Sequence, residues 1–370
     1  TERLERFVSQ NHLHFDDLEA WASVSSREGY GFRDQACKAE SSGRCISVWL
    51  TAYKDGKVLA RHLSALDNAS WMHALSELSG GQRAATGRRP GVPSASFPEP
   101  VTFHPPFADR LQRTGELKEV AESMLANIWH EAERTGGLKS VRGGAWYDTR
   151  LTAIARRGGS LSCITGSFQT EVIFNQLFKD RLCQVLAPQS LLAIALWGAR
   201  VWRELPKQIA GGDITGTDQV VFLHPRALEK LLRVVGGECF VAGSESSIPI
   251  GFNVASSGFT LTDAPHMEGL TSSRAFDDSG LPTRRLSLAV KGRVTDRFAR
   301  LGARGFFQNV SGNQWRAPML SSDGLDTLAS TFSSIYVGRG RSTYRELLGS
   351  APNIVHVSDL DNIRKVGPAS

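Results

Sequence analysis

The residues of this chain most suited to chemistry lie between Thr271 and Asn313, in TSSRAFDDSGLPTRRLSLAVKGRVTDRFARLGARGFFQNVSGN. Asp277 and Asp278 enter a Ser279-Gly280 turn, and Leu281-Pro282 leaves it. Arg284 and Arg285 then open an alternating strand, Leu286 to Val290, which turns at Lys291-Gly292. Pro282 holds the residue before it extended. Paired acids beside paired arginines on a stiff turn suit two kinds of work. They can fix a loop by charge-assisted hydrogen bonds, or grip a peptide main chain or its carboxylate. Spacing alone leaves both open. Other candidates are weaker. His130-Glu131-Ala132-Glu133-Arg134 has no second histidine at helical spacing and reads as a solvated helix end. His12 and His14 alternate without evident partners, and no G-x-S-x-G nucleophile elbow occurs. The glycine-rich runs at 302–305 and 338–340 lack the strand–loop–helix order of phosphate loops and read as hairpin turns, although their arginines could reach an anion.

Composition narrows the classes. A chain of 370 residues suggests two domains or one large one, with a full core. Hydrophobic residues make up 41% and charged residues 22%, ordinary for a globular protein. No apolar run approaches the roughly 20 residues of a membrane span, and the opening TERLERFVSQ has no signal-peptide pattern. The expected location is therefore cytoplasmic, with no membrane partner. The five cysteines are scattered without a CxxC pair, against a disulfide framework or zinc ribbon and in favour of free thiols. The net charge is +6, but the basic residues are spread out and the one dense patch, Arg83 to Arg89, falls in a loop. Nucleic acid is not an expected partner.

The elements that must position the candidates read as an α+β chain. Residues 1–24 look helical. A hairpin follows, from Cys45 to Tyr53 and from Val58 to His62, around Asp55-Gly56. A helix then runs to about Leu78, with Asp67 or Asn68 as its N-cap. Residues 80–106 hold six prolines and four glycines and read as a surface loop. Glu116 to Arg134 is a helix closed by Gly136-Gly137. Val141 to Phe174 reads as a meander of four short strands with a turn at Gly158-Gly159, and Gln189 to Leu205 as an apolar helix buried on most sides. The expected division is an N-terminal α+β domain of helices and hairpins over 1–175 and a β-rich C-terminal domain over 176–370.

The stretch around the paired acids resembles the C-terminal half of the TldD/TldE (PmbA) family, which runs roughly FDDEG-x-PTRR, a strand, then a glycine-rich STGN segment. The matching pieces here are Phe276 to Gly280, Pro282 to Arg285, and Val310-Ser311-Gly312-Asn313. The resemblance is strong from about Thr217 to Ser358 and looser before that. It implies that a further C-terminal segment, which in TldD-like members supplies a cysteine ligand, is absent after Gly367-Pro368-Ala369-Ser370.

TldD-like members of that family resemble zinc peptidases marked by HExxxH on a helix, two histidines facing the metal and the glutamate activating water. The matching place here follows the strand Gln219 to Leu223 and reads His224-Pro225-Arg226-Ala227-Leu228-Glu229. The first histidine is present. Pro225 stands where the general base would be, and Glu229 where the second ligand would be. Proline cannot take a proton from water, although it suits the first turn of a helix. With no third ligand in view, His224 reads as a structural helix start. The resemblance therefore implies a TldE/PmbA-like chain with no catalytic residue and no metal or other cofactor of its own. Such a chain pairs with a TldD-like zinc subunit in a heterodimer or higher assembly and trims small or unfolded peptides, such as natural-product leaders or antitoxins. Asp277, Asp278, Arg284, Arg285 and Asn313 are then candidate peptide contacts or structural fixtures. The alternative is an enzyme in its own right, modifying a bound peptide through the Asp/Arg cluster without zinc. A third reading is a pure binding or modulator protein.

Overall fold

The computed structural model describes residues 2–54, 57–79, 101–103, 114–157, 159–175, 178–184, 191–204, 220–242, 247–265, 274–298, 314–316, 328–330, 332–338, 340, 342, 346–347, 354–357 and 360. It is α+β, as the element pattern predicts.

The chain opens with α1 (Glu2–Asn11), but the helical expectation over 1–24 fails beyond it. A short 3-10 turn at His12–His14 leads into β1 (Asp17–Arg33), a 17-residue strand. Leu18 and Trp21 look helical by spacing, yet the period over 18–25 is two. Leu18, Ala20 and Ala22 are buried on one side, Glu19, Trp21 and Ser23 on the other. Pairing with two long neighbours settles the choice. β1 lies antiparallel between β2 (Ala36–Lys54) and β5 (Val141–Arg156). The hairpin from β2 to β3 (Lys57–Leu63) forms as expected, with Lys54 opposite Lys57. α2 (Asn68–Ser79) follows, capped by Asp67, whose carboxylate accepts from the Ser70 N–H at 2.7 Å.

The expected four-strand meander is two long strands. β5 and β6 (Gly159–Phe174) pair along their whole length, with Arg156 opposite Gly159 at the anticipated turn. The glycines and charged residues that suggested breaks are paired in register along one continuous ladder. Within the stretch read as a loop, Val101–Phe103 forms a short strand, β4, parallel to β6; most of 80–106 lies outside the described residues. β7 (Phe178–Gln184) also pairs with β6, giving a seven-stranded sheet in the order β3-β2-β1-β5-β6-β4 with β7 beside β6.

The four described helices of this half pack on one face of the sheet. α1 and α2 cover Leu18, Ala20, Leu50 and Ala153. At the other end, α3 (Thr114–Thr135) and α4 (Leu191–Glu204) cover Phe32, Tyr147, Phe168 and Phe174. α4 was expected to be buried on most sides. Ile194, Ala195, Trp197, Ala199 and Val201 are buried, and a narrower stripe with Leu192 and Leu196 is exposed. At Gly198 the two helices approach so closely that a Cβ would stand 2.7 Å from Ile128 Cδ1. β7 and α4, both beyond residue 175, thus pack with the first half.

Glu131, expected in a solvated helix end, is instead buried and bridges α3 to α4. Arg203 donates to its two oxygens at 3.0 and 2.7 Å, with Arg134 at 3.5 Å. Hydrogen bonds from Arg203 hold its carboxyl below the usual glutamate range. A depressed folded-state pKa adds stability that is complete above the unfolded glutamate pKa and is lost as pH falls through the folded value. Glu131→Gln should therefore flatten the acid limb of stability against pH. Urea midpoints at pH 7 and pH 3 should differ less in the variant than in the parent chain; an equal difference would exclude this carboxylate as a contributor.

The second half is built of short strands. β8 (Val220–Leu223) pairs in parallel with β15 (Ile354–Val357), and α5 (Pro225–Cys239) follows β8. A four-stranded sheet has the order β11-β10-β9-β14, from β9 (Leu261–Asp263), β10 (Leu286–Val290), β11 (Arg293–Val294) and β14 (Ile335–Val337). β12 (Gln314–Arg316) pairs with β13 (Leu328–Ser330). The core of this half centres on Phe240, Leu286, Leu288, Phe298 and Phe332. Buried Asp263 ties β9 to the approach to β14, accepting from the Ser333 and Ser334 N–H groups at 2.9 and 2.8 Å. No described helix is long and apolar enough to cross a membrane.

Candidate functional site

The loop that carries the paired acids, residues 274–283, docks on the sheet face opposite the helices. Phe276, 2% exposed, enters an apolar patch made by Trp21, Trp49, Ile154 and Leu161. Burying an aromatic ring of this kind is worth about 1.5–3 kcal/mol in transfer terms. The turn itself is closed by Asp277. One carboxylate oxygen accepts from the Ser279 N–H (2.9 Å), the Ser279 hydroxyl (2.6 Å) and the Leu281 N–H (3.0 Å). The backbone closes on it as well, Gly280 N–H donating to the Asp277 carbonyl at 3.0 Å. Gly280 has φ +80°, in the left-handed region that a side chain would strain.

Asp278, 3% exposed, faces the sheet rather than solvent. It accepts from the Trp21 indole N–H at 3.2 Å and from Arg274 at 2.9 Å. Beside it, Arg156 on β5 donates to the Ser279 carbonyl at 2.6 Å and forms a two-nitrogen pair with Glu19 on β1, its Nε 2.8 Å from Oε2. Arg156 and Glu19 are both nearly enclosed, at 8% and 4%. Burial works against the arginine charge, but Glu19 outweighs it and the net direction of the Arg156 pKa is upward.

The expected cluster is therefore divided. Asp277 and Asp278 sit buried in the turn and against the sheet. Arg284 and Arg285 are exposed at the start of β10, and the arginines that serve the acid turn are Arg274 and Arg156. Asn313 lies outside the described residues. Sequence reasoning missed Trp21, Glu19 and Arg156, which are far from the loop in the chain; the only trace in the sequence is a charged or aromatic residue at every second position of a strand.

The metal-helix positions are equally specific. α5 starts at Pro225, directly after β8, as the resemblance implies. His224 is tied down on both sides. Its N–H donates to the Val357 carbonyl at 2.9 Å, its carbonyl accepts from Leu228, and Nδ1 faces the Arg226 N–H at 3.4 Å. Glu229 pairs with Arg233 at 2.9 Å, and Arg233 reaches the Phe332 carbonyl at 3.2 Å. Zinc would need three protein ligands and a base for its water. Here the histidine nitrogen is turned to the helix start, the acid is engaged by an arginine, and the base position has no side-chain proton acceptor. These residues do not fit the metal. Among the described residues no three His, Cys, Asp or Glu side chains gather for one. Four of the five cysteines are free thiols.

Comparison with known proteins agrees with this architecture. Residues 216–370 match the family described as the PmbA/TldA metallopeptidase C-terminal domain. TldE from Thermococcus kodakarensis superposes with a TM-score of 0.66 at 15% identity, over 96% of this chain and 82% of that one. A putative modulator of DNA gyrase from Bacteroides thetaiotaomicron gives 0.66 at 15% identity, over 98% and 82%. One from Thermotoga maritima gives 0.54 at 16% identity, over 94% and 79%. No curated protein matches in sequence. At these identities the superpositions speak for the fold, and the matched C-terminal domain is metallopeptidase-related. Residues 216–370 therefore carry a PmbA/TldD-type C-terminal domain, and the chain as a whole has the fold of the superposed TldE structure.

Proposed function

We propose that this chain is the non-metal, TldE/PmbA-like subunit of a two-chain zinc peptidase that processes small or unfolded peptides in the cytoplasm. The observation that carries the reading is the start of α5, where His224 caps the helix, Pro225 replaces the base and Glu229 is held by Arg233. A TldD-like partner would supply the zinc, and this chain would supply a wall of the peptide channel. The peptides would be leaders of modified natural products or labile antitoxins. The division into an N-terminal α+β domain and a C-terminal PmbA-type domain belongs to the same proposal, with the sheet-associated β7 and α4 counted with the first.

The rival reading makes the Asp/Arg cluster a reaction site of its own. The burial of Asp277 and Asp278, and the hydrogen bonds that already engage their oxygens, favour the structural role instead. A modulator of DNA gyrase, the description carried by two structural relatives, would act without any TldD-like chain. Metal analysis by mass spectrometry distinguishes these. The lone chain should carry no stoichiometric zinc, and the chain co-purified with a TldD-like partner should carry one zinc per pair. One zinc in the lone chain, with peptide cleavage, would overturn the subunit reading.

A further inference from the structure

Beyond Trp21 and Ile154, the sheet face that receives the loop turns polar. The register places Ser25 opposite Arg150 and Arg27 opposite Asp148 on β1 and β5. It places Arg150 opposite Thr165 and Asp148 opposite Ser167 on β5 and β6. Alternate residues of adjoining strands point the same way, so these side chains form one floor. Arg274 from the docked loop adds a wall, and together they bound a cleft of about 390 Å³.

Charge in the cleft is uneven. Arg27 is engaged by Asp148, at 2.7 and 3.0 Å, and by Gln169 at 3.1 Å. Arg274 is engaged by Asp278. Among the described residues no carboxylate lies at ion-pair distance from Arg150, and the lining holds Arg27, Arg150 and Arg274 beside Asp148. Arg150 lines the cleft and is exposed, although neighbouring atoms crowd its guanidinium. That crowding, followed by the Arg274 charge, lowers its pKa from the ordinary arginine value, with Asp278 and Asp148 acting in the opposite sense. A guanidinium in this position lacks a planar, two-oxygen acceptor, which is what its parallel N–H groups match. Among the described lining residues the balance is positive, and Asp148 and Asp278 would repel a dianion. A monoanion fits.

We propose that the cleft binds a peptide through one carboxylate, with Arg150 as the anchoring cation and the Ser25 and Ser167 hydroxyls as further donors. This rests on the peptide-processing reading and adds to it a residue-level contact. The carboxylate comes from a chain terminus or an acidic side chain.

Three fluorescently labelled pentapeptides test this against the full chain, by anisotropy: a neutral sequence with a free C-terminus, its amide, and the amide with one glutamate. At least one carboxylate peptide should bind about tenfold tighter than the neutral amide, the ratio that one charge-assisted contact near 1.4 kcal/mol gives. A preference for the free acid alone identifies the terminus, and for the glutamate peptide the side chain. Arg150→Gln should remove the advantage while leaving circular dichroism and Tm unchanged, and Ser25→Ala should reduce it severalfold. Equal binding of all three peptides, or an advantage that survives in the folded Arg150→Gln chain, would overturn the proposal. The zinc measurement is independent: metal in the lone chain would overturn the subunit reading without altering this ratio, and loss of the ratio would leave the zinc result as it is.

Discussion

Arg156→Leu should lower the stability of the chain by about 3–5 kcal/mol, the usual cost of breaking a buried ion pair from one side. Two losses combine. Glu19 would be left charged at 4% exposure on β1, with its partner gone, and the Ser279 carbonyl in the acid turn would lose its donor. Equilibrium urea unfolding measures the cost. The decisive comparison is the double variant Glu19→Leu/Arg156→Leu. Removing both charges eliminates the uncompensated carboxylate, so the double variant should be more stable than Arg156→Leu alone. If the double variant is the less stable of the two, the pair contributes more than it costs to bury, and the desolvation argument fails.

Phe276→Ala should cost a similar amount, about 3–5 kcal/mol, for a different reason. The ring fills a site between Trp21, Trp49, Ile154 and Leu161, and a rigid sheet surface cannot collapse into the space it leaves. The exposed neighbour Arg284 provides the control, because Arg284→Ala should stay within about 0.5 kcal/mol. Urea midpoints report both, and protease sensitivity within 274–283 should rise in Phe276→Ala alone. A loss below about 1 kcal/mol would mean that the Asp278 and Arg156 hydrogen bonds hold the loop without the ring, and that the two sets of contacts are redundant.

Both expectations give the string of acids and arginines a mechanical meaning. Asp277 shapes the turn, Asp278 and Phe276 attach it to the sheet, and Gly280 permits its backbone. The arginines that look like partners of these acids in sequence, Arg284 and Arg285, are exposed and take no part in the turn.

Local order explains what was legible in the chain. The family segment, the strand and helix around His224, the cap at Asp67 and the α3 helix all depend on residues within a few positions of one another, and their types alone carry the signal. Pro225 is the clearest case, since one residue both starts a helix and removes a proton acceptor. The long strands were not legible. Residues 17–24 follow a period of two, but Leu18 and Trp21 also satisfy a helical spacing, and only pairing with β2 and β5 removes the ambiguity. Glu131 shows the same limit, because its neighbours in sequence are polar while Arg203, 72 positions away, takes it out of water. The sequence by itself determined the PmbA/TldD-type C-terminal domain and the α+β class. Only the tertiary structure decided which charges meet, because a carboxylate's partner is set by strand register and loop docking across more than a hundred residues, and side-chain type carries no record of that distance.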